Sequence, residues 1–257
     1  MNEICARRMM RLCALCAAFA IWVGPSAGAQ TLLSADEVLD HLRANATAIG
    51  TLQARIVVHT YKDGEVNLIQ EMRLYLEQPD RMRQEYVAPD YMAGNVTLIV
   101  GDSLLIYIAA INSWQRSSLS ELSTAEQPWL LFRQLLRDVQ DEFADYGFAL
   151  REFDGGSYHL VGTPATDDAV YGSIEMWIDP ETFVPTRRLL YDVDGNLIAD
   201  VRILNVVEVA PGVFLARKVE AYDAEGVLKN EISYQELVVN DRIDPSLFAL
   251  PEEASHG

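Results

Sequence analysis

Cysteine is scarce in this chain, and the few cysteines lie at one end. Of 257 residues, three are cysteines: Cys5, Cys13 and Cys16. The rest of the chain therefore has neither a disulfide framework nor a thiolate metal ligand. The histidines are His41, His59, His159 and His256. They are scattered without metal-ligand spacing, so we expect no metal and no cofactor.

Positive charge is also scarce. The chain has 20 Lys and Arg against 38 Asp and Glu, a formal net charge of −18. Such a charge repels phosphate backbones and anionic lipid headgroups. Nucleic acid is therefore not expected as a partner, and neither is stable residence on a bilayer surface. A requirement for solubility explains the charge equally well.

Catalytic motifs are missing too. The sequence contains no G-x-S-x-G elbow and no glycine-rich phosphate loop after a strand. Residues 192–196 resemble a calcium loop, but Gly195 comes two positions too early, and a hairpin turn is predicted instead. The many acidic residues leave a hydrolase with two carboxylates open. Because no catalytic constellation can be assembled, we expect a protein that is not an enzyme and has no catalytic residues.

The N-terminus has the three parts of a secretory signal. A basic head with Arg7, Arg8 and Arg11 precedes an apolar core over residues 12–23, and Ala27-Gly28-Ala29 fits the rule for a leader peptidase. The core of about a dozen residues is shorter than the roughly 20 that span a bilayer. We expect residues 1–29 to be a cleaved signal peptide, residues 30–250 one domain, and residues 251–257 a disordered tail. An uncleaved anchor or a lipid anchor at Cys16 are the alternatives.

The first element after the leader is predicted to be an amphipathic helix. Ser34 and Glu37 form a capping box, and Gly50 supplies a stop. The apolar face holds Val38, Leu39, Leu42, Ala46 and Ile49. From Leu52 onward apolar residues alternate with polar ones, which indicates strands joined by a hairpin at Asp63-Gly64.

The middle of the chain predicts three or four more strands and a second helix. The strands lie at about 81–88, 95–100, 103–109 and 112–117. A cap at residues 123–126 then precedes an apolar helical run that extends from Trp129 to Val139. Its unusually wide apolar face predicts a helix that lies as a lid over an apolar surface.

The remaining chain predicts a meander of strands. Turn signals occur at residues 154–155, 179–180, 194–195, 211–212 and 224–226. In the last strand Leu228, Ile232, Tyr234 and Val238 are expected on one face. We predict a mainly β (α+β) fold, a single large curved antiparallel sheet of about ten strands. The N-terminal helix and the mid-chain lid helix would cover it.

A curved sheet with helices across its mouth forms either a covered cavity or a filled core. The candidate lining residues are Tyr75, Trp114, Trp129, Phe132 and Leu136. Each of them fits ordinary core packing as well, because aromatic and leucine stripes are usually packing. Arg81 and Arg83 share one strand face, where they would contact a ligand headgroup or pair with nearby carboxylates.

Residues 72–86 read as strand, proline turn and strand, and Ala88-Pro89-Asp90, Val100-Gly101-Asp102 and Tyr107 follow in order. This pattern resembles the outer-membrane lipoprotein-sorting family, the LolA-like carriers. Residues 244–248 resemble the family's closing "D-x-x-x-F", and the helix after Trp114 resembles its lid helices.

The resemblance implies a half-open antiparallel barrel closed by helices, a periplasmic location and the carriage of lipoprotein acyl chains. In the best-known carriers an arginine precedes the strand-ending proline and bonds to the lid. Here that lid-latch position is Gln78. A weaker latch or a different ligand is the consequence.

Three hypotheses follow. The first is a monomeric periplasmic carrier for lipoprotein acyl chains or lipid, with an inner-membrane release complex or an outer-membrane acceptor as partner. The second is an envelope-stress sensor, a regulatory binding protein on the same fold. The third is a scaffold that binds no lipid.

Overall fold

The computed structural model describes residues 32–119, 145–167, 169–250 and 255–256. In this part of the chain one α-helix, α1 (Ala35–Thr47), precedes a long series of strands. The first strands are β1 (Thr51–Lys62), β2 (Glu65–Glu77), β3 (Arg81–Ala88), β4 (Val96–Val100), β5 (Ser103–Ile108) and β6 (Ser113–Ser118). The later ones are β7 (Tyr146–Phe153), β8 (Tyr158–Pro164), β9 (Ser173–Ile178), β10 (Pro185–Tyr191), β11 (Leu197–Ala210), β12 (Val213–Tyr222), β13 (Leu228–Val239) and the two-residue β14 (Ser255–His256). Short 3-10 helices cover Ala109–Ile111 and Pro245–Phe248.

Helix α1 begins where its capping residues predict. The Ser34 hydroxyl accepts a hydrogen bond from the Glu37 amide at 3.3 Å, and the Glu37 carboxylate accepts one from the Ser34 amide at 2.8 Å. These bonds satisfy two of the amides that a helix start leaves without partners. They also lower the pKa of Glu37 below its ordinary value.

All the strands belong to one open sheet. Its order is β14-β6-β5-β4-β3-β2-β1-β13-β12-β11-β10-β9-β8-β7. Thirteen strands pair antiparallel, and only β14, beside β6, pairs parallel among the described residues. Two meanders, β1–β6 and β7–β13, thus meet where β1 pairs with β13.

The strand count corrects the prediction of about ten strands. The predicted turns and the strands at the middle of the chain are confirmed, including the hairpin at Asp63-Gly64, where both residues have positive φ. No turn was predicted between residues 156 and 178. The structure has two strands there, β8 and β9, joined by residues 165–172. This longer connection lacks a compact turn signature such as Asp-Gly, so its two strands are not separated by pattern alone.

The two faces of the sheet differ in chemistry. We call the face on which α1 packs the helix face, and it carries apolar clusters along its length. We call the other one the charged face, since ion pairs cross its strands. Examples are Arg55 with Glu71 at 2.7 Å and Lys218 with Glu231 at 3.0 Å. The apolar and polar residues that alternate along the strands in the sequence therefore point to the helix face and the charged face respectively.

Candidate functional site

Helix α1 covers one part of the helix face. It packs its apolar side on strands β7–β10, in a cluster that contains Ala35, Val38, Leu39, Leu42, Tyr158, Leu160, Ile174, Met176 and Ile178. The Asn45 side chain fixes the helix to β12, because its amide nitrogen donates to the Phe214 carbonyl and its oxygen accepts from the Phe214 amide, both at 2.8 Å. The predicted amphipathic helix is confirmed. Its apolar packing and the Asn45 hydrogen bonds fix its position on the sheet.

A second cluster occupies the other part of the helix face. Its buried members are Ile49, Leu52, Ala54, Ile56, Met72, Leu74, Leu76, Met82, Ile99, Leu104, Leu119 and Val213. Strands β1–β5 supply most of them. Helix α1 contributes no member, so the helix that the structure describes does not cover this region.

Burial decreases along β1 on this face. Leu52, Ala54 and Ile56 are buried, whereas Val58, two residues further, is only half-buried. Val58 lies opposite Ile232 of β13, Ile232 opposite Val219 of β12, and Val219 opposite Ile203 of β11.

These four residues, Val58, Ile232, Val219 and Ile203, form a continuous row that we call the apolar strip. All four are half-buried. Cross-strand neighbours on one face have Cβ atoms roughly 5 Å apart, so the strip presents side by side the branched alkyl groups of four strands. A half-buried row of this kind still has apolar surface to remove from water.

The strip has no charge of its own, and two tyrosines pack against the cluster beside it. Tyr234, two residues from Ile232, packs against the second cluster. Burial raises the pKa of Tyr234 to about 12. Burial also raises the pKa of Tyr86, which packs against the same cluster, with a hydrogen bond to Gln84 opposing it. Both phenols are therefore neutral at physiological pH and add no charge to this part of the helix face.

Two of the predicted lining residues, Tyr75 and Trp114, lie on the charged face. Tyr75 alternates with the buried Leu74 and Leu76, which point to the helix face. Tyr75 and Trp114 instead pack in a third cluster with Leu98, Leu105, Ile243 and Phe248. The 3-10 helix Pro245–Phe248 covers this cluster from outside the sheet. The structure thus brings Tyr75 and Trp114 together, but on the face opposite the apolar strip.

A solvent-open cavity of about 690 Å³ adjoins this cluster. Its lining includes Arg73, Arg83, Glu85, Tyr86, Val87, Ala93, Gly94, Val96, Tyr107, Asn112 and Trp114. The rings of Tyr107 and Trp114 lie with centroids 5.1 Å apart and form an aromatic wall. The Tyr107 hydroxyl donates to the Asn112 side chain at 2.6 Å.

The charges in the cavity are partly neutralised. The Arg83 Nε donates to the Glu85 carboxylate at 2.7 Å, and its Nη1 donates to the Leu247 carbonyl at 3.1 Å. The exposed Arg73 makes no hydrogen bond that the described residues show. A guanidinium beside aromatic rings can bind a small anion or a carboxylate by donating hydrogen bonds to it. The sequence pointed to Arg83 and Trp114 here, but Arg73 was missed; its alternation with Tyr75 on β2 was the available signal.

Arg81 and Gln78 lie at the end of β2 and the start of β3. Arg81 pairs with the Glu77 carboxylate at 3.4 Å, so it belongs to a surface ion pair, outside the cavity. The Gln78 amide nitrogen donates to the Ala46 carbonyl in the last turn of α1, at 3.4 Å. The predicted latch position thus contacts a helix, and that helix is α1.

Several predictions fall outside the described residues. Trp129, Phe132 and Leu136, together with the lid helix that would carry them, belong to residues 120–144. Among the described residues no group of three or more His, Cys, Asp or Glu is arranged to hold a metal ion. No helix in the same part of the chain is long and apolar enough to span a membrane.

Comparison with protein families gives one match. A family model with the description "-like: Uncharacterized protein" matches residues 79–252, more than half of the chain. The chain belongs to this family. No curated protein matches its sequence.

Solved structures share the fold of this family member. A DUF1329 family protein from Desulfovibrio piger is 17% identical, with a TM-score of 0.65 over 83% of this chain and 96% of that one. An outer membrane lipoprotein-sorting protein domain from Vibrio parahaemolyticus is 15% identical, with a TM-score of 0.63 over 82% and 94%. A LolA superfamily protein from Nitrosomonas europaea is 16% identical, with a TM-score of 0.61 over 85% and 99%. The predicted resemblance to lipoprotein-sorting proteins is confirmed at the level of the fold.

Proposed function

We propose that this protein is a non-enzymatic binding protein of the bacterial cell envelope that holds the acyl chain of a lipid or lipoprotein. The acyl chain would lie on the helix face, along the apolar strip. The observation that carries the proposal is the half-buried row Val58, Ile232, Val219 and Ile203, which α1 does not cover. An antiparallel sheet whose apolar face is covered only in part by the described helix offers apolar surface that a ligand can bury.

The available free energy is sufficient for carriage. Removing one methylene from water contributes about 0.8 kcal/mol, so ten methylenes of an acyl chain contribute on the order of 8 kcal/mol. The loss of translational and rotational freedom offsets part of this. The net result is reversible binding, which a carrier requires, since its ligand must also be released.

Charge supports a carrier that moves between membranes. The net charge of −18 opposes prolonged contact with anionic lipid headgroups. The predicted signal peptide and the LolA-like fold favour the periplasm as its location. The donor and acceptor would be a release complex in the inner membrane and an acceptor in the outer membrane.

The test compares two adjacent valines on opposite faces of β1. Val58 belongs to the apolar strip, and Val57 is also half-buried but lies on the charged face, opposite Glu71 and Ser233. Fluorescence of a bis-anilino naphthalene dye measures apolar binding, and added palmitate tests displacement. We expect V58D to weaken dye binding by roughly tenfold or more, because a carboxylate in the strip must be desolvated. We expect V57D to bind as the unmodified chain does.

Stability is measured in parallel by circular dichroism during heating. If V58D fails to fold, V219F replaces it, since a larger apolar ring occupies the strip without adding charge. Equal dye binding by both aspartate variants, or by V219F and the unmodified chain, would show that the ligand does not bind at the strip. Native mass spectrometry that finds only ligand-free protein after gentle extraction would favour a scaffold.

A further inference from the structure

Six connections between strands lie at the same end of the strands and form one rim of the sheet. Because neighbouring strands run antiparallel, this rim contains the connections β5–β6, β3–β4, β1–β2, β12–β13, β10–β11 and β8–β9. They follow each other in this order across the sheet. We call it the tip rim.

Five of these connections carry an exposed, large apolar side chain, and beside the β1–β2 connection the second residue of β2 supplies one. In the same order they are Ile111, Tyr91, Val66, Val227, Val193 and Val170. Their exposed fractions range from 40% at Val227 to 84% at Val193. Three more exposed apolar residues, Val87, Ile69 and Ile198, lie on the strands next to these connections.

The opposite rim is different. Its connections β4–β5, β2–β3, β11–β12, β9–β10 and β7–β8 contain no large apolar residue that is exposed in the described chain. The other exposed apolar residues of that part are Leu32 before α1, Val238 at the end of β13, and Leu250 after the 3-10 helix Pro245–Phe248. Scattered exposed apolar residues are ordinary, but their concentration at one rim marks an interaction surface.

The tip rim is also acidic. Its connections carry Asp63, Asp90, Asp167, Asp192, Asp194, Asp223 and Glu225, and Glu65 begins β2 beside them. The lysines at its margin are Lys62 and Lys229. One of these lysines is already paired, since Lys229 Nζ lies 2.7 Å from Asp223. The turn amides of Asn196 and Asp194 donate to Asp192 at 2.8 Å and 2.9 Å, so that carboxylate has a fixed position.

We infer that the tip rim docks a partner protein whose contact surface combines apolar patches with basic side chains. The rim's protruding apolar groups would be buried in the contact, and its carboxylates would face the partner's lysines and arginines. Such charge complementarity accelerates association and selects the partner. The inference depends on the exposed rim and not on the proposed ligand.

A lipid bilayer fits the rim less well. Surfaces that bind membranes usually place Lys and Arg around their apolar groups, because many membranes carry anionic lipid headgroups. Here the apolar groups alternate with carboxylates instead. The single exposed aromatic residue among the six connections is Tyr91. The charge distribution therefore favours a basic protein over a membrane.

The probe for the test is a defined peptide: an 18-residue helix with leucine on one face and lysine on the other, labelled with a fluorophore. Its anisotropy is measured with the full chain at low and high salt. A scrambled peptide of the same composition has no apolar face and serves as the control for net charge. We expect tighter binding of the amphipathic peptide, and weaker binding of both peptides at high salt.

The apolar groups of the rim are tested by variants that leave the charge unchanged. The triple variant Y91S/I111S/V193S removes the most exposed apolar groups, and we expect it to bind the amphipathic peptide roughly tenfold more weakly, equal to about 1.4 kcal/mol. The matched control is V238S, since Val238 is 43% exposed but lies at the other end of β13. D194K/E225K reverses rim charge and is expected to weaken binding as well.

Three outcomes would overturn the inference. In the first, the triple variant and V238S bind the peptide equally. In the second, the scrambled peptide binds as tightly as the amphipathic one, which would show that net charge alone accounts for the binding. In the third, vesicles of phosphatidylcholine bind the unmodified chain and the triple variant loses this binding, which would make the rim a membrane contact. Thermal unfolding followed by circular dichroism verifies that each variant is folded.

Discussion

Asp200 accepts a forked pair of hydrogen bonds from Arg187, whose Nε and Nη2 lie 2.9 Å and 3.0 Å from the two carboxylate oxygens. Arg202 on the same strand as Asp200 donates to Oδ2 as well, at 3.2 Å and 3.0 Å. Asp200 is only 5% exposed. One buried carboxylate on the charged face thus holds two guanidinium groups together. Arg187 also lies over the Trp177 ring, at 5.3 Å from its centroid.

Replacing Asp200 by asparagine should destabilise the fold. The substitution leaves the two guanidinium groups close to each other without the charge that offsets their repulsion. Both arginines are nearly half exposed, so solvent screens part of the loss. We expect the free energy of unfolding to fall by about 1–3 kcal/mol, measured by urea denaturation. Asp194→Asn, on an exposed hairpin tip, is the control and should change it by less than about 0.5 kcal/mol. Equal midpoints for the two variants would contradict the role of Asp200.

The same carboxylate predicts a pH dependence. Burial works to raise the pKa of Asp200, but the hydrogen bonds and charges of Arg187 and Arg202 outweigh it and lower the pKa below its ordinary value. A group whose folded pKa is lowered stabilises the fold above its unfolded pKa, near 3.9, and this contribution disappears as the pH falls through the folded value.

Thermal unfolding between about pH 6 and pH 2 measures this contribution. The unmodified chain should lose stability as the pH falls, and Asp200→Asn should lose less, since asparagine has no proton to gain. Glu71, Glu220 and Asp223 also have lowered pKa values, so both proteins share that part of the decline. Parallel curves for the two proteins over the whole range would show that Asp200 is not the source of the difference.

Much of the fold follows from local patterns. The capping box of α1, the turn at Asp63-Gly64 and the bounds of β3 depend on neighbouring residues, and pattern alone finds them. The apolar strip is different. It arises because β1 pairs with β13 at the other end of the chain. The pattern shows that Val58 and Ile232 each face one side of a strand, but nothing in it indicates that they lie opposite each other.

The candidate site shows the same limit. Alternation assigns Tyr75 to the opposite face from Leu74 and Leu76, yet it does not say which face α1 covers. The resemblance to lipoprotein-sorting proteins predicted a mainly β fold with one large antiparallel sheet, and two of the aromatic residues proposed as a lining lie on its charged face. Aromatic residues also pack well under a terminal segment, as Tyr75 and Trp114 do beside Phe248.

A bulge in β13 explains why Val238 lies on the opposite face of the sheet from the prediction. Glu236 has a positive φ of 51°, and the pairing of β1 with β13 shifts register at this point. One extra residue reverses the alternation beyond it. Leu237 and Val239 therefore pack against the second cluster of the helix face, and Val238, predicted on the same face as Tyr234, is exposed.

Substitutions at Glu236 should reveal the strain of this bulge. A left-handed backbone costs a residue with a Cβ roughly 1–2 kcal/mol, and glycine avoids that cost. The ion pair of Glu236 with Arg55 spans 3.8 Å at an exposed position, so its loss has little effect. We expect Glu236→Gly to raise the free energy of unfolding by about 0.5–1 kcal/mol. Glu236→Val should lower it by about 1 kcal/mol or more, because a branched side chain fits this conformation worst. Urea denaturation of both variants measures the difference, and a valine variant more stable than the glycine variant would rule out a strained bulge at this residue.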